Sequence, residues 1–348
     1  MKPLDAALAA ARGESLAVAG LDPGELLQVL RRHKLISYGR CLELSPEQRA
    51  LIAPSWRASS AQALIQAAER DRLLGGLAEQ QIPALAYKGV VLQEWLTGRL
   101  DGRDSEDLDL WVPPLLFRRT LRWLVSVGYT LAFELSLEDL NAHPLPSELL
   151  LLHPGGMHLD VHQRFFAPHY ALDAAETVLQ KRAIGGLDDA STAWLVALGA
   201  AKDTWGALRH LADLAAAVER VDAGELTSLA DRTHTRKLLD IGVQLASRWV
   251  RPIPWPARYP LPSGVDAALL AEHELPLVSR GRIYLSARER WQDRAAYMAR
   301  LPFKVSALDL GHGGRLGRTA HRLRRLVRDH GVKGLGSALS GSVRREDG

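Results

Sequence analysis

Three short runs decide the fold: Tyr87-Lys88-Gly89, then Asp107-Leu108-Asp109-Leu110-Trp111-Val112 beginning eighteen residues beyond the glycine, and later His158-Leu159-Asp160-Val161-His162. Side chains of an extended strand alternate between faces, so Asp107 and Asp109 project together while Leu108, Leu110 and Val112 point into a core. The third run has the same alternation and puts His158, Asp160 and His162 on one side. Two carboxylates on an otherwise apolar strand are costly to bury without a compensating cation.

Working outward, residues 82–87 form a short apolar run ending at a glycine, the pattern of a buried strand, and residues 90–96 should then be a helix. Residues 108–112 form a second strand stopped by Pro113-Pro114, and residues 116–127 an amphipathic helix ending at Gly128. Residues 148–153 and 157–163, joined through Pro154-Gly155-Gly156, read as a β-hairpin. Residues 4–80 read as helical, with Asp22-Pro23 and Ser45-Pro46 as cap and first-turn proline signals. From Leu172 onward the pattern is mostly helical, interrupted by a Pro-rich break at 252–262 and a Gly-rich break at 311–314. The expected class is α+β, a small mixed sheet flanked by helices. Its regions are a helical N-terminal part (1–80), a mixed core (81–170), a helical C-terminal part (171–310) and a basic tail (311–348).

At 348 residues, with 47% apolar and 24% charged content, the chain can bury a sizeable core. The single cysteine, Cys41, excludes an intramolecular disulfide framework and a Cys-rich zinc ribbon, and a cytoplasmic location is expected. Asp5, Arg12 and Glu14 interrupt the N-terminal apolar residues before a signal-peptide core can form, and no apolar run is long enough for a transmembrane helix. The net charge of +4 is uneven: residues 312–348 carry nine Lys/Arg against three Asp/Glu. Leu316, Ala320, Leu323 and Val327 recur there at helical spacing beside six arginines, a basic amphipathic helix that either docks on the body or meets an anionic partner.

A nucleoside triphosphate is handled with Mg²⁺, which prefers carboxylate and water oxygens. Asp107, Asp109 and Asp160 are therefore the expected metal-binding and catalytic residues, with Mg²⁺ or Mn²⁺ as the ion and a nucleoside triphosphate as co-substrate. Gly89, between a strand and a helix, lets backbone amides approach a phosphate; Lys88, Arg103 and Ser105 are further candidate contacts. Lys202, Trp205, Arg209 and Asp213 fall on one face of a helix expected over residues 193–219, where Lys202 could meet the triphosphate tail. His158 and His162 raise a competing transition-metal reading, against which they would hydrogen-bond to Asp160 or the ligand.

Taken in order, Arg32-His33-Lys34, Leu85-Ala86-Tyr87-Lys88-Gly89, Arg103 with Asp107-Leu108-Asp109-Leu110, Gly128-Tyr129, Leu159-Asp160-Val161-His162 and Ala201-Lys202 with Trp205 resemble a little-characterised bacterial nucleotidyltransferase-like family of the DNA polymerase beta superfamily, over roughly residues 20–310. The resemblance implies metal-binding roles for Asp107, Asp109 and Asp160 and a phosphate turn at Gly89. Val90 stands where the superfamily usually has Gly or Ser, which removes a side-chain phosphate ligand. The implied reaction is transfer of a nucleoside monophosphate to an acceptor hydroxyl with release of pyrophosphate. The acceptor stays open among small molecule, peptide and polymer. Two other functions fit parts of the pattern: a D-x-D glycosyltransferase, and a non-catalytic nucleotide-sensing or partner-binding accessory protein.

Overall fold

The computed structural model describes residues 1–132, 145–271 and 275–301. The basic tail and its expected helix, with the Gly-rich break at 311–314, lie outside the described residues. The chain opens on helices α1 (Pro3–Arg12), α2 (Pro23–Arg32) and the long α3 (Pro46–Glu79). Both cap signals are realised. The Asp22 side chain accepts from the Glu25 amide, and Ser45 and Gln48 cap each other's backbone amides across the first turn of α3.

Among the described residues five strands follow, interleaved with two helices: β1 (Leu85–Ala86), α4 (Gly89–Thr97), β2 (Asp107–Trp111), α5 (Phe117–Ser126), β3 (Thr130–Leu131), β4 (Glu148–Leu152) and β5 (His158–His162). Their order across the sheet is β1-β2-β5-β4-β3. β2 and β5 run parallel at the centre, and β1, β4 and β3 pair antiparallel outside them. The expected strand at 82–87 is reduced to two residues, and β3 was not legible in the sequence pattern.

The C-terminal helices are α6 (Asp173–Ala183), α7 (Asp189–Lys202), α8 (Leu208–Val218), α9 (Ala223–Arg232), α10 (Arg236–Trp249), α11 (Ala267–Leu270), α12 (Leu277–Ser286) and α13 (Trp291–Arg300). The Pro-rich stretch separates α10 from α11 as non-helical chain. One expectation is corrected: the helix over 193–219 is two helices. They are broken at Asp203–Ala207, where Thr204 and Trp205 take left-handed φ values of 53° and 51°. The break is stabilised from outside. Arg32 Nη1 donates to the Gly206 carbonyl at 2.8 Å, the Leu208 amide donates to His33 Nδ1 at 3.3 Å, and the Arg209 amide to the His33 carbonyl at 3.3 Å. His33 can accept because burial, with the Arg32 charge beside it, lowers its pKa to about 4 and leaves the ring neutral.

Two cores result. Behind the sheet, Leu108, Leu110, Val112, Leu149, Leu151, Leu159 and Val161 pack against α5 and the C-terminal half of α3. In front, helices from both ends of the chain share one core with Tyr87, Trp111 and Phe165. The Trp111 and Phe165 rings stack with centroids 5.5 Å apart. The front face of the sheet is thus held between a packed back and a helical cover. Among the described residues no helix is long and apolar enough to cross a membrane.

Candidate active site

The parallel register of β2 and β5 places Asp107 opposite His158, Asp109 opposite Asp160 and Trp111 opposite His162. With a period of two, all six side chains share the front face, while the leucines and valines between them form the rear core. Asp107, Asp109 and Asp160 therefore stand together on the sheet face that lines a cleft of about 280 Å³, whose other wall comes from α4, α7 and the start of α8.

Asp109 is the buried centre of the cluster. One of its oxygens, Oδ1, lies 2.8 Å from Lys88 Nζ and 2.9 Å from His162 Nε2. Burial pushes this carboxyl up, but the Lys88 charge and the His162 hydrogen bond outweigh it and hold the group ionised well below the usual range. For Asp160 the compensation falls short. Burial first, then the neighbouring charges of Asp109 and Asp107, raise its pKa to about 6 against the pull of His162. Burial and Asp109 also raise Asp107. Two carboxyls whose ionisation is resisted by desolvation and by the charge of Asp109 gain most from an added cation.

Asp109, Asp160 and His162 have one ligand atom each within 4.8 Å of one another, a donor set of two hard oxygens and one imidazole nitrogen that fits a divalent cation. Asp107 stands one pleat along the strand from Asp109, outside that set but on the same face.

Gly89 opens α4 with φ 52°, and a Cβ there would lie 2.8 Å from the Asp107 carbonyl oxygen and 3.0 Å from Ser105 Oγ. Only glycine relieves both constraints, so the first turn of α4 can sit against the strand that carries the carboxylates. Lys88 is the residue before that turn. Ser105 donates to the Asp107 carbonyl at 3.0 Å, which steadies the entry to β2.

Lys202, Arg209 and Lys34 line the opposite side of the cleft, whereas Trp205 is buried in the helical core. Arg103 also borders the cleft, but its Nε donates to Asp213 at 2.7 Å, and Tyr38 donates to the other oxygen of Asp213 at 2.8 Å. Its charge is largely balanced inside the protein. Two further residues of the cleft went unassigned as site residues in the sequence reading. Glu148, opposite His162 in the β4–β5 register, brings Oε2 within 3.3 Å of His162 Nδ1, and Lys34 follows α2 with φ 56°. The strand alternation could have flagged Glu148; no local signal places Lys34 in the cleft.

Comparison with known proteins gives one family and nothing nearer. No curated protein and no solved structure matches the chain. Residues 19–251, which include every carboxylate of the cleft and the three helices of its other wall, match the family described as uncharacterised nucleotidyltransferase. With most of its length covered by that match and the carboxylate face and glycine turn arranged as above, the chain belongs to this nucleotidyltransferase family.

Proposed function

We propose that the protein is a divalent-cation-dependent nucleotidyltransferase, with Mg²⁺ or Mn²⁺ as the ion, and that it moves a nucleoside monophosphate from a nucleoside triphosphate to an acceptor hydroxyl. The polymerase-beta-like organisation suggested by the sequence belongs to the same proposal. The observation that carries it is the β2–β5 register, which sets Asp107, Asp109 and Asp160 on one face beside a glycine that opens a helix.

In this reading Asp109 and Asp160, with Asp107 beside them, hold the metal. A divalent cation held by these residues would supply positive charge for the phosphate and for the charge that develops during transfer. The amides at the start of α4 receive a phosphate, and Lys88 turns from Asp109 to the same group. Lys202 and Arg209 face the phosphate tail across the cleft. The acceptor oxygen forms its bond to the α-phosphorus, the bond from that phosphorus to the bridging oxygen breaks, and pyrophosphate departs. Asp160 orients the acceptor hydroxyl and takes its proton.

A glycosyltransferase built around D-x-D would carry a nucleotide-binding α/β unit ahead of the motif. The chain before β1 consists of helices α1–α3 and short connections, which favours nucleotidyl transfer. The test is calorimetric titration of ATP, GTP, CTP and UTP with Mg²⁺ or Mn²⁺ into the natural protein and Asp107→Asn/Asp109→Asn. Metal-dependent binding that disappears in the double variant is expected. Absence of binding by the natural protein overturns the proposal and favours the accessory-protein reading, for which chelation should also be without effect.

A further inference from the structure

His162 lies between two carboxylates. It is 2% exposed, its Nε2 lies 2.9 Å from Asp109 Oδ1, and its Nδ1 lies 3.3 Å from Glu148 Oε2. The ring is fixed from the side as well, since Tyr87 meets it edge to face at 5.5 Å between centroids. In the present geometry Nδ1 makes no hydrogen bond despite its burial, which leaves the Glu148 side unserved.

The geometry leaves Nε2 placed to meet a cation held by the carboxylates, with Glu148 at the far nitrogen. With Nε2 given to a cation, Nδ1–H would be the donor to Glu148, and Nε2 already belongs to the cluster whose Asp109 and Asp160 oxygens lie within 4.8 Å of it. This is the carboxylate–histidine–metal arrangement in which an outer acid fixes both tautomer and ring orientation. The register supplies all its parts: Asp109 pairs with Asp160 across β2 and β5, and His162 pairs with Glu148 across β5 and β4.

We propose that His162 is a metal ligand through Nε2, with Glu148 as its positioning residue. The centre formed with Asp109 and Asp160 then selects a nitrogen-accepting divalent ion such as Mn²⁺ over Mg²⁺. This rests on reading the carboxylate face as a divalent-cation centre and adds the identity of the third ligand and of the preferred ion. Imidazole nitrogen suits the transition metals, whereas Mg²⁺ keeps to oxygen. His158 takes no part, because it lies opposite Asp107 at the other end of β5 and is exposed.

The experiment uses Mn²⁺ alone, without nucleotide or acceptor. Mn²⁺ is titrated into the metal-free full chain, and electron spin echo modulation of the bound ion is recorded for coupling to ¹⁴N. Mg²⁺ affinity is measured by competition. The natural protein is expected to bind Mn²⁺ at least tenfold more tightly than Mg²⁺ and to show imidazole ¹⁴N modulation. In His162→Gln the modulation should disappear, with Mn²⁺ affinity falling at least tenfold and Mg²⁺ affinity less. Glu148→Gln should keep the modulation with a smaller loss of affinity. Bound Mn²⁺ without nitrogen coupling in the natural protein overturns the proposal independently of how any variant folds, and so does failure to bind Mn²⁺. The transfer reaction is not the readout, so a protein that binds Mn²⁺ through nitrogen yet transfers no nucleotide would sink only the catalytic reading.

Discussion

The two faces of β2 and β5 are made by the same ten residues and obey opposite rules. Behind the sheet, Leu108, Leu159 and Val161 are fully buried and Leu110 nearly so, and each contributes through area removed from water. In front, Asp109 is almost as buried at 3% exposure, but its burial is tolerated because Lys88 and His162 supply charge and hydrogen bonds. Depth alone therefore does not tell core from site. The rear should respond to mutation as a loss of stability, and the front as a loss of ligand and turnover with the fold retained.

The widest separation is expected from Asp109→Asn. It keeps the side-chain volume and removes the charge, so nucleotidyl transfer should fall by at least about 10³-fold, on the order of 4 kcal/mol. Circular dichroism should still show a folded protein. Transfer at the natural rate would break the assignment of the front face to catalysis. The matching rear variant, Leu110→Ala, should cost about 2–5 kcal/mol in urea denaturation through lost burial and a cavity. In the fraction that stays folded, metal and nucleotide affinity should be nearly unchanged. If Leu110→Ala altered metal affinity tenfold without loss of stability, the two faces would not be separable.

Gly89→Ala sharpens the comparison at the edge of the sheet. The new Cβ meets the Asp107 carbonyl at 2.8 Å from a backbone already at φ 52°, so the α4 turn must move off β2. A stability loss of about 1–2 kcal/mol is expected. Nucleoside triphosphate affinity should fall roughly tenfold, since about 1.4 kcal/mol of phosphate contact corresponds to that factor. Metal affinity in the absence of nucleotide should change less. Calorimetry with and without nucleotide checks both, and an unchanged nucleotide affinity would remove the turn from the phosphate site.

Most of the sheet was legible because a period of two is a local property. Asp107, Asp109 and Asp160 could be placed on faces before any contact was known, and the leucines between them assigned to a core. The strand register was not legible, because it depends on which residues of distant segments meet; it is the register that pairs Asp109 with Asp160 and His162 with Glu148. The helix over 193–219 failed for a similar reason. Its periodicity continues through the break, and the turn is held by Arg32 and His33 from α2, far away in sequence. Arg103 was singled out as a phosphate contact because it stands just ahead of the Asp pair; the partner the fold gives it, Asp213, lies 110 residues further along the chain.

The smallest of these effects, and the one with a distinctive pH signature, belongs to Asp160. Its pKa in the folded protein is about 6 against an ordinary 3.8, raised mainly by burial and then by the neighbouring aspartates, with His162 opposing. A carboxyl raised on folding is more easily protonated in the native state than in the unfolded one, so its ionisation destabilises the fold. That penalty is absent below the unfolded value, grows as pH rises from about 4 to about 6, and is fully present above. Asp160→Asn removes it while keeping the shape. In chelator the variant should therefore be more stable than the natural protein at pH 8, by about 1–2 kcal/mol once solvent screening is allowed for, and the difference should close by pH 4. With a saturating divalent ion the order should reverse at pH 8, because binding to the natural protein adds stability that the variant cannot gain. Urea denaturation at the two pH values, with and without metal, reads all four states. A natural protein already the more stable of the two at pH 8 in chelator would mean that Asp160 is satisfied within the fold, as Asp109 is, and does not hold a place for a cation.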